Sequence, residues 1–147
     1  MAKHSLIRNP DTNVNSFGMI KNLKIPREPQ LKSVDADIYL FLGFHKNIWG
    51  FGLKHIQHEH GNEIRNLGFV DDEGRTLLTE FVASIVRPGT KLYYTGESWP
   101  KCRLLVWNQN GRGILELREN NKQGKHWSII TVFPEKNPAG RFVGIII

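Results

Sequence analysis

The sequence predicts an α+β fold in which an N-terminal helical part packs on an antiparallel β-sheet of four to five strands. Apolar residues recur at helical spacing in the first half of the chain, and short apolar runs separated by turn-rich pieces fill the second half. The chain has 147 residues, of which 39% are hydrophobic and 23% are charged, and these values are typical of one soluble globular domain.

Residues 1–33 have the composition of a flexible or extended arm that precedes a single domain of residues 34–147. The stretch "RNPDTNVNS" is polar, and "KIPREPQLKS" holds two prolines among charged residues. Because apolar residues are sparse before Val34, we expect little of the core to come from this arm.

Two helices are predicted after a buried strand, "ADIYLFLGF" (36–44). Trp49, Leu53 and Ile56 fall at helical spacing, and Gly61 is well placed to end a helix. Because Gly50 and Gly52 weaken the first turn, the first helix is predicted only from about Phe51. The second helix ends at "RPG" (87–89). Its amphipathic stripe consists of Leu77, Leu78, Phe81, Val82 and Ile85.

Short strands are predicted in the remainder of the chain. They are "KLYYT" (91–95), "RLLVW" (103–107), "GILEL" (113–117) and "HWSIITVF" (126–133), to which "FVGIII" at the end can add another. The Asn-Gly pair in "NQNGR" favours a tight hairpin turn between the second and third strands. Strict alternation in the last long strand would place Trp127, Ile129, Thr131 and Phe133 on one face and His126, Ser128, Ile130 and Val132 on the other.

The charge balance is compatible with a polyanionic partner such as a nucleic acid, and equally with a soluble surface that has a moderate positive excess. Lysine and arginine outnumber aspartate and glutamate by 20 to 14, which gives a net charge of +6. The apolar runs are far shorter than the roughly 18–20 residues that span a bilayer, so we expect no membrane segment. A single cysteine, Cys102, excludes an internal disulfide framework and is compatible with a reducing compartment such as the cytoplasm.

The stretch "LKHIQHEHGNE" (53–63) holds three of the six histidines, and a metal site is the first alternative for them. On a helix that advances about 100° per residue, His58 lies about 60° from His55, and His60 lies about 140° from His55. One ion could not be held by all three while the helix stays regular, and no distant residue is marked as a further ligand. We therefore predict neither a metal site nor a cofactor.

Packing at a helix end is the second alternative. Protonated histidine near a helix C-terminus is mildly stabilising, which suits His58 in a solvent-facing position beside Glu59. His60 continues the apolar stripe of Trp49, Leu53 and Ile56, so we expect it to face the sheet.

Acid–base catalysis on RNA is the third alternative. Cleavage by the 2′-hydroxyl needs a base for that proton, an acid for the leaving 5′-oxygen and donors that stabilise charge on the phosphate. Two imidazoles suit the first two tasks, because their ordinary pKa near 6.5 leaves both protonation states accessible at neutral pH. Thr131, a hydroxyl in an otherwise apolar row, suits the third task.

A set of short motifs resembles a known family of nucleases. "H-x-x-x-x-H-G" runs from His55 to Gly61, the segment "GFVDDEGRTLLTEFVASI" follows, and "HWSIITVFP" closes the pattern. The closing motif "W-x-I-x-T-x-[FY]-P" is filled by Trp127, Ile129, Thr131, Phe133 and Pro134. Over residues 36–134 the chain resembles the bacterial EndoU-type and phage-associated nucleases of the barnase–EndoU–colicin–RelE superfamily.

The resemblance implies a metal-independent endoribonuclease that leaves a 2′,3′-cyclic phosphate and serves as a bacterial or phage toxin. It implies a curved sheet whose concave face holds the site, and a cytoplasmic site of action, with delivery to a target cell as an option. An active toxin would need a cognate inhibitor or immunity protein as partner. The sequence departs from the family by the additional histidine in "HEHG" and by glycines at positions 50 and 52.

Roles for single residues follow from the resemblance. His55 and His60 would share proton transfer, Thr131 would position the scissile phosphate, and Arg118 or Arg103 would neutralise it. The expected contacts to flanking phosphates and bases involve Lys125, His126, Ser128 and Trp107, with Trp127 as a further aromatic that is expected in the core. A non-catalytic RNA- or protein-binding module on the same fold is the alternative.

Overall fold

A computed structural model describes residues 2–23, 35–96, 102–135 and 137–147. The elements in chain order are β1 (Leu6–Ile7), β2 (Ser16–Ile20), β3 (Ala36–Phe41), β4 (Phe44–Lys46), β5 (Trp49–Phe51), α1 (Gly52–Asn66), α2 (Leu78–Ile85), β6 (Lys91–Tyr94), β7 (Arg103–Asn108), β8 (Gly111–Asn120), β9 (Gly124–Phe133) and β10 (Arg141–Ile145). In this part of the chain, neither helix is long and apolar enough to cross a bilayer.

The main sheet has eight strands in the order β1-β3-β9-β8-β7-β6-β10, with β2 also paired to β3. The pairing of β3 with β9 is parallel, with Ile38 opposite Trp127, and the other pairings in this sheet are antiparallel. The α+β class is therefore confirmed. The expected four to five antiparallel strands are too few, because the two ends of the chain add strands and the sheet is mixed.

The N-terminal segment contributes directly to the core, and the expectation that it would not is wrong. Phe17 and Ile20 of β2 are completely buried, as is nearly all of Leu23. The pairing of β2 with β3 shifts register between Ser16 and Met19, so the buried positions are three apart and show no period of two. The proline-containing stretch "KIPREPQLKS" lies outside the described residues.

The sheet separates a large core from a small one. The large core lies between both helices and one face of the sheet, and it includes Ile56 of α1, Phe81 of α2 and Ile38 of β3. The small core consists of Phe41, Phe51 and Ile130, with three partly buried residues around it. Because side chains alternate along β3, its odd and even positions serve different cores.

The alternation predicted for β9 fails after Ile129. Leu115 pairs with Ile129 and Ile114 pairs with Thr131, so Ile130 has no partner in the register with β8. This bulge shifts the phase by one residue, and Val132 consequently joins Trp127 in the large core. Thr131 is therefore on the small-core face, contrary to the prediction from strict alternation.

The first helix begins near the predicted position but ends five residues later, at Asn66. Gly52 opens α1 at φ +78°, and a Cβ there would overlap the carbonyl oxygen of Phe41, so glycine is required for this close approach. Gly61 does not end the helix, because the next turn buries Ile64 in the large core. The second helix matches its prediction.

Truncation of Phe17 tests the contribution of the N-terminal segment. We expect Phe17→Ala to lower the free energy of unfolding by about 3–5 kcal/mol, because it leaves a cavity beneath β2. Val14→Ala, an exposed position three residues away, should change it by less than about 0.5 kcal/mol. Denaturant titration measures both variants, and equal stabilities would show that β2 is not part of the cooperative unit.

Candidate active site

A short hairpin of β4 and β5 leads directly into α1 and folds back against it. His45 pairs with Gly50 across the hairpin, and Asn47 supports the turn at φ +58°. A Cβ at position 50 would lie 2.7 Å from Nδ1 of His55. Gly50 therefore allows the backbone of the hairpin to reach the first turn of the helix, and this explains the glycine that departs from the family pattern.

Three histidines gather where the hairpin meets the helix. Nδ1 of His45 lies 2.9 Å from Nδ1 of His55, and the two rings are nearly parallel at 5.1 Å. The ring of His58 stacks on His45 with a centroid separation of 3.7 Å. His58 is exposed, as predicted, but it is covered on one side by His45.

His45 is a site residue that the sequence prediction missed. It lies in a strand of three residues, which is too short for hydrophobic periodicity to reveal. The sequence signal that could have revealed this hairpin is Asn47, because asparagine favours the left-handed conformation that a tight hairpin turn needs. A hairpin turn at Asn47 would have placed His45 close to the first turn of the helix.

The contact between His45 and His55 defines a protonation pattern. A hydrogen bond between two Nδ1 atoms requires a proton on one atom and a lone pair on the other. Burial lowers the pKa of His55 below its ordinary 6.5; Glu59 opposes this shift, whereas the nearby histidines, with His45 the strongest among them, reinforce it. When both rings are neutral, this hydrogen bond leaves Nε2 of the donor ring unprotonated and Nε2 of the acceptor ring as an N–H group.

An acidic side chain stands beside this pair. Oε1 of Glu59 is 3.9 Å from Nδ1 of His45, and the ligand-type atoms of Glu59, His45 and His55 all lie within 4.8 Å of one another. The side chain of His45 is 10% exposed and that of Glu59 is 40% exposed. The cluster therefore opens to solvent on the side of Glu59.

His60 lies apart from this cluster and faces the sheet, as expected. Its ring stacks on Phe133 of β9 at 5.3 Å, and its Nδ1 lies 3.0 Å from Oε1 of Glu63. Because α1 is regular through residue 60, His55 and His60 point in different directions. His45 takes the place beside His55 that the resemblance assigned to His60.

The predicted meeting of a helix imidazole with the hydroxyl of Thr131 is not observed. The side-chain oxygen of Thr131 is buried and has no hydrogen-bond partner among the described residues. His55 contacts His45, and His60 contacts Phe133 and Glu63. Thr131 cannot position a phosphate in this structure, because solvent does not reach its hydroxyl.

The predicted phosphate contacts of His126 and Ser128 are also wrong, because both residues are buried. His126 donates a hydrogen bond from Nδ1 to the carbonyl oxygen of Gly124, and its ring packs against Tyr39 and Phe41. The physical reason is that both faces of β9 are covered, one by the large core through Trp127 and Ile129 and the other by the small core through Ile130.

The two candidate arginines share one buried carboxylate. Oε2 of Glu116 accepts a hydrogen bond from Nε of Arg103 at 2.9 Å, and Oε1 accepts one from Nε of Arg118 at 2.8 Å. The guanidinium of Arg118 also lies over the ring of Phe51, 4.5 Å from its centroid. Much of the charge predicted to neutralise a phosphate is therefore balanced within the sheet by Glu116, a residue not singled out from the sequence.

The remaining predicted contact residues are spread over the sheet. Lys125 is exposed at the beginning of β9, and Trp107 is half-buried on β7. Trp127 is completely buried, as expected for a core residue. Helical spacing placed Trp49 on the apolar stripe of the first helix, and this is wrong, because Trp49 lies on β5 before the helix and is 71% exposed.

Comparison of the chain with protein-family models, with curated proteins and with solved structures finds no match. The likeness to EndoU-type nucleases therefore stays a prediction that rests on residue patterns.

Removal of the shared carboxylate tests the arginine pair. We expect Glu116→Ala to lower the free energy of unfolding by about 2–3 kcal/mol, because it leaves two neighbouring guanidinium groups without their common acceptor. The loss is smaller than for a fully buried pair, since both arginines are partly exposed.

Glu119→Ala on the same strand is the matched control, because Glu119 is exposed. It should change the free energy of unfolding by less than about 0.5 kcal/mol in the same denaturant titration. If Glu116→Ala had the same free energy of unfolding as this control, the ion pairs of Glu116 with the two arginines would make no net contribution to stability.

Proposed function

We propose that the protein is an endoribonuclease that cleaves RNA by transesterification without a metal cofactor. The observation that carries the proposal is the pair of imidazoles formed by His45 and His55, whose Nδ1 atoms are 2.9 Å apart beside an opening to solvent. The charge of +6 and the motif resemblance support RNA as the substrate.

The proposed reaction needs one proton acceptor and one proton donor. The ring that donates through Nδ1 has an unprotonated Nε2, which removes the proton of the 2′-hydroxyl, and the 2′-oxygen then attacks the adjacent phosphorus. The bond from phosphorus to the 5′-oxygen breaks, and Nε2–H of the other ring supplies the proton for that leaving oxygen. Transfer of the proton between the two Nδ1 atoms leaves both rings neutral. The products are a 2′,3′-cyclic phosphate and a free 5′-hydroxyl, and His45 and His55 can fill the two roles in either order.

The hairpin supplies a surface for bases and phosphates next to the imidazoles. Ile48 and Trp49 at its tip are exposed, and Lys46 lies across the hairpin from Trp49. Lys54 is exposed on the first turn of α1. An aromatic ring flanked by cations suits single-stranded RNA, because bases stack on the ring while the lysines contact the phosphates.

A non-catalytic RNA- or protein-binding module is the second candidate function. It is favoured by the burial of the Thr131 hydroxyl and by the sharing of Glu116 between Arg103 and Arg118. These contacts occupy the groups that were expected to stabilise charge on the phosphate. Such a module would bind RNA in a salt-sensitive manner without cutting it.

Cleavage of labelled RNA in the presence of EDTA tests the catalytic proposal. Wild-type protein should cut the RNA, and His45→Ala or His55→Ala should each reduce the rate by at least about 100-fold, as expected for loss of a proton-transfer group. Mass spectrometry of the products should show 2′,3′-cyclic phosphate ends.

Gln57→Ala, an exposed position on the same helix, is the control and should retain the wild-type rate. His60→Ala separates the observed pair from the pair implied by the resemblance, and it should lose less activity than His45→Ala. Thermal unfolding confirms that each variant is folded. Intact RNA after incubation with wild-type protein, or an undiminished rate for His55→Ala, would favour the binding module.

Truncation of Trp49 tests the RNA surface. We expect Trp49→Ala to weaken binding of single-stranded RNA by about 1–3 kcal/mol, which is about 5- to 150-fold in Kd, because one stacking platform is lost. Trp49→Phe should retain most of the affinity. Fluorescence anisotropy in EDTA measures Kd on a His55→Ala background, and an unchanged Kd for Trp49→Ala would remove the hairpin from the RNA surface.

A further inference from the structure

Three ligand-type atoms converge at the end of the β4–β5 hairpin. Nδ1 of His45 is 2.9 Å from Nδ1 of His55 and 3.9 Å from Oε1 of Glu59, and each of the three residues offers a ligand atom within 4.8 Å of the other two. Imidazole nitrogen and carboxylate oxygen together are a frequent ligand set for zinc. The ligand that the sequence did not mark beside the helix histidines is supplied by the hairpin.

The separations fit a tetrahedral ion after small movements of the side chains. Zinc binds nitrogen and oxygen at about 2.0–2.2 Å, so two ligand atoms of a tetrahedral site are about 3.3–3.5 Å apart. The observed 2.9 Å and 3.9 Å lie on either side of this range, each about half an ångström from it. Rotation of the side chains can supply that adjustment without a change in the backbone.

The surrounding contacts hold the ligands in place. His55 and Glu59 are four residues apart on α1, so they project from the same face of the helix. His45 is held from one side by the stacked ring of His58, and the Gly50 backbone borders His55. The opening beside Glu59 leaves a fourth coordination position for water.

We propose that His45, His55 and Glu59 bind a zinc ion and that the ion inhibits the ribonuclease. Zinc takes the place of the proton between the two Nδ1 atoms, and that proton moves to Nε2 of the same ring, so both rings stay neutral ligands. Both Nδ1 lone pairs are then bound to the ion and both Nε2 atoms carry a proton, so neither imidazole can accept the proton of the 2′-hydroxyl. The binding site stands on the geometry alone, whereas the inhibition rests on the proposed function.

Zinc binding is measured on the full-length chain after treatment with EDTA and removal of the chelator. Titration against a chromophoric zinc chelator should show one site per chain in the wild type. His45→Ala and Glu59→Gln should each raise Kd for zinc by at least about tenfold, since each removes a ligand. His60→Ala and Glu63→Gln, the matched histidine and carboxylate about one turn away, should leave Kd unchanged.

Cleavage of RNA at increasing zinc concentrations tests the inhibition. Wild-type cleavage should fall as zinc rises and recover with EDTA, and Glu59→Gln should require at least about tenfold more zinc for half-inhibition, relative to its own zinc-free rate. The proposed zinc site is overturned if the wild type does not bind zinc, or if neither His45→Ala nor Glu59→Gln changes Kd for zinc. Stimulation by zinc overturns the inhibitory role. Site-dependent binding by a chain that never cuts RNA supports the site and rejects the proposed nuclease.

Discussion

The parallel pairing of β3 with β9 is the constraint on which the rest of the structure depends. It joins the first half of the chain to the antiparallel strands of the second half, and it covers β9 on both edges. Because the hairpin and α1 follow β3 immediately, this pairing also places the histidine cluster beside the sheet. His126 and Ser128 are buried because the two cores cover both faces of β9.

The imidazole pair owes its geometry to a close approach of backbone to side chain. Only glycine at position 50 lets the hairpin lie against His55, and glycine at position 52 lets the helix begin beside β3. Two Nδ1 atoms at hydrogen-bond distance must share a proton or a metal ion, because two lone pairs facing each other repel. Proton transfer and metal binding are therefore competing uses of the same two nitrogens.

Much of the local structure was predictable, because it depends on neighbours in sequence. Periodicity identified α2 and the strands from β6 onward, and helical spacing identified the beginning of α1. The contribution of Phe17 was not predictable, since a register shift in β2 removes the alternation that marks a strand. For the same reason, a bulge at Ile130 moved Thr131 to the other face of β9, and the predicted partner of the helix histidines was lost.

The sequence by itself determined the α+β class, the basic charge and the concentration of histidine in α1, because composition and short-range periodicity record these properties. Only the tertiary structure decided which histidines meet. His45 and His55 are ten residues apart on different elements, and their contact depends on how a hairpin folds onto a helix. Tertiary packing likewise decided that Glu116 draws Arg103 and Arg118 together, because register across strands is set by long-range pairing and leaves no periodic trace in the sequence.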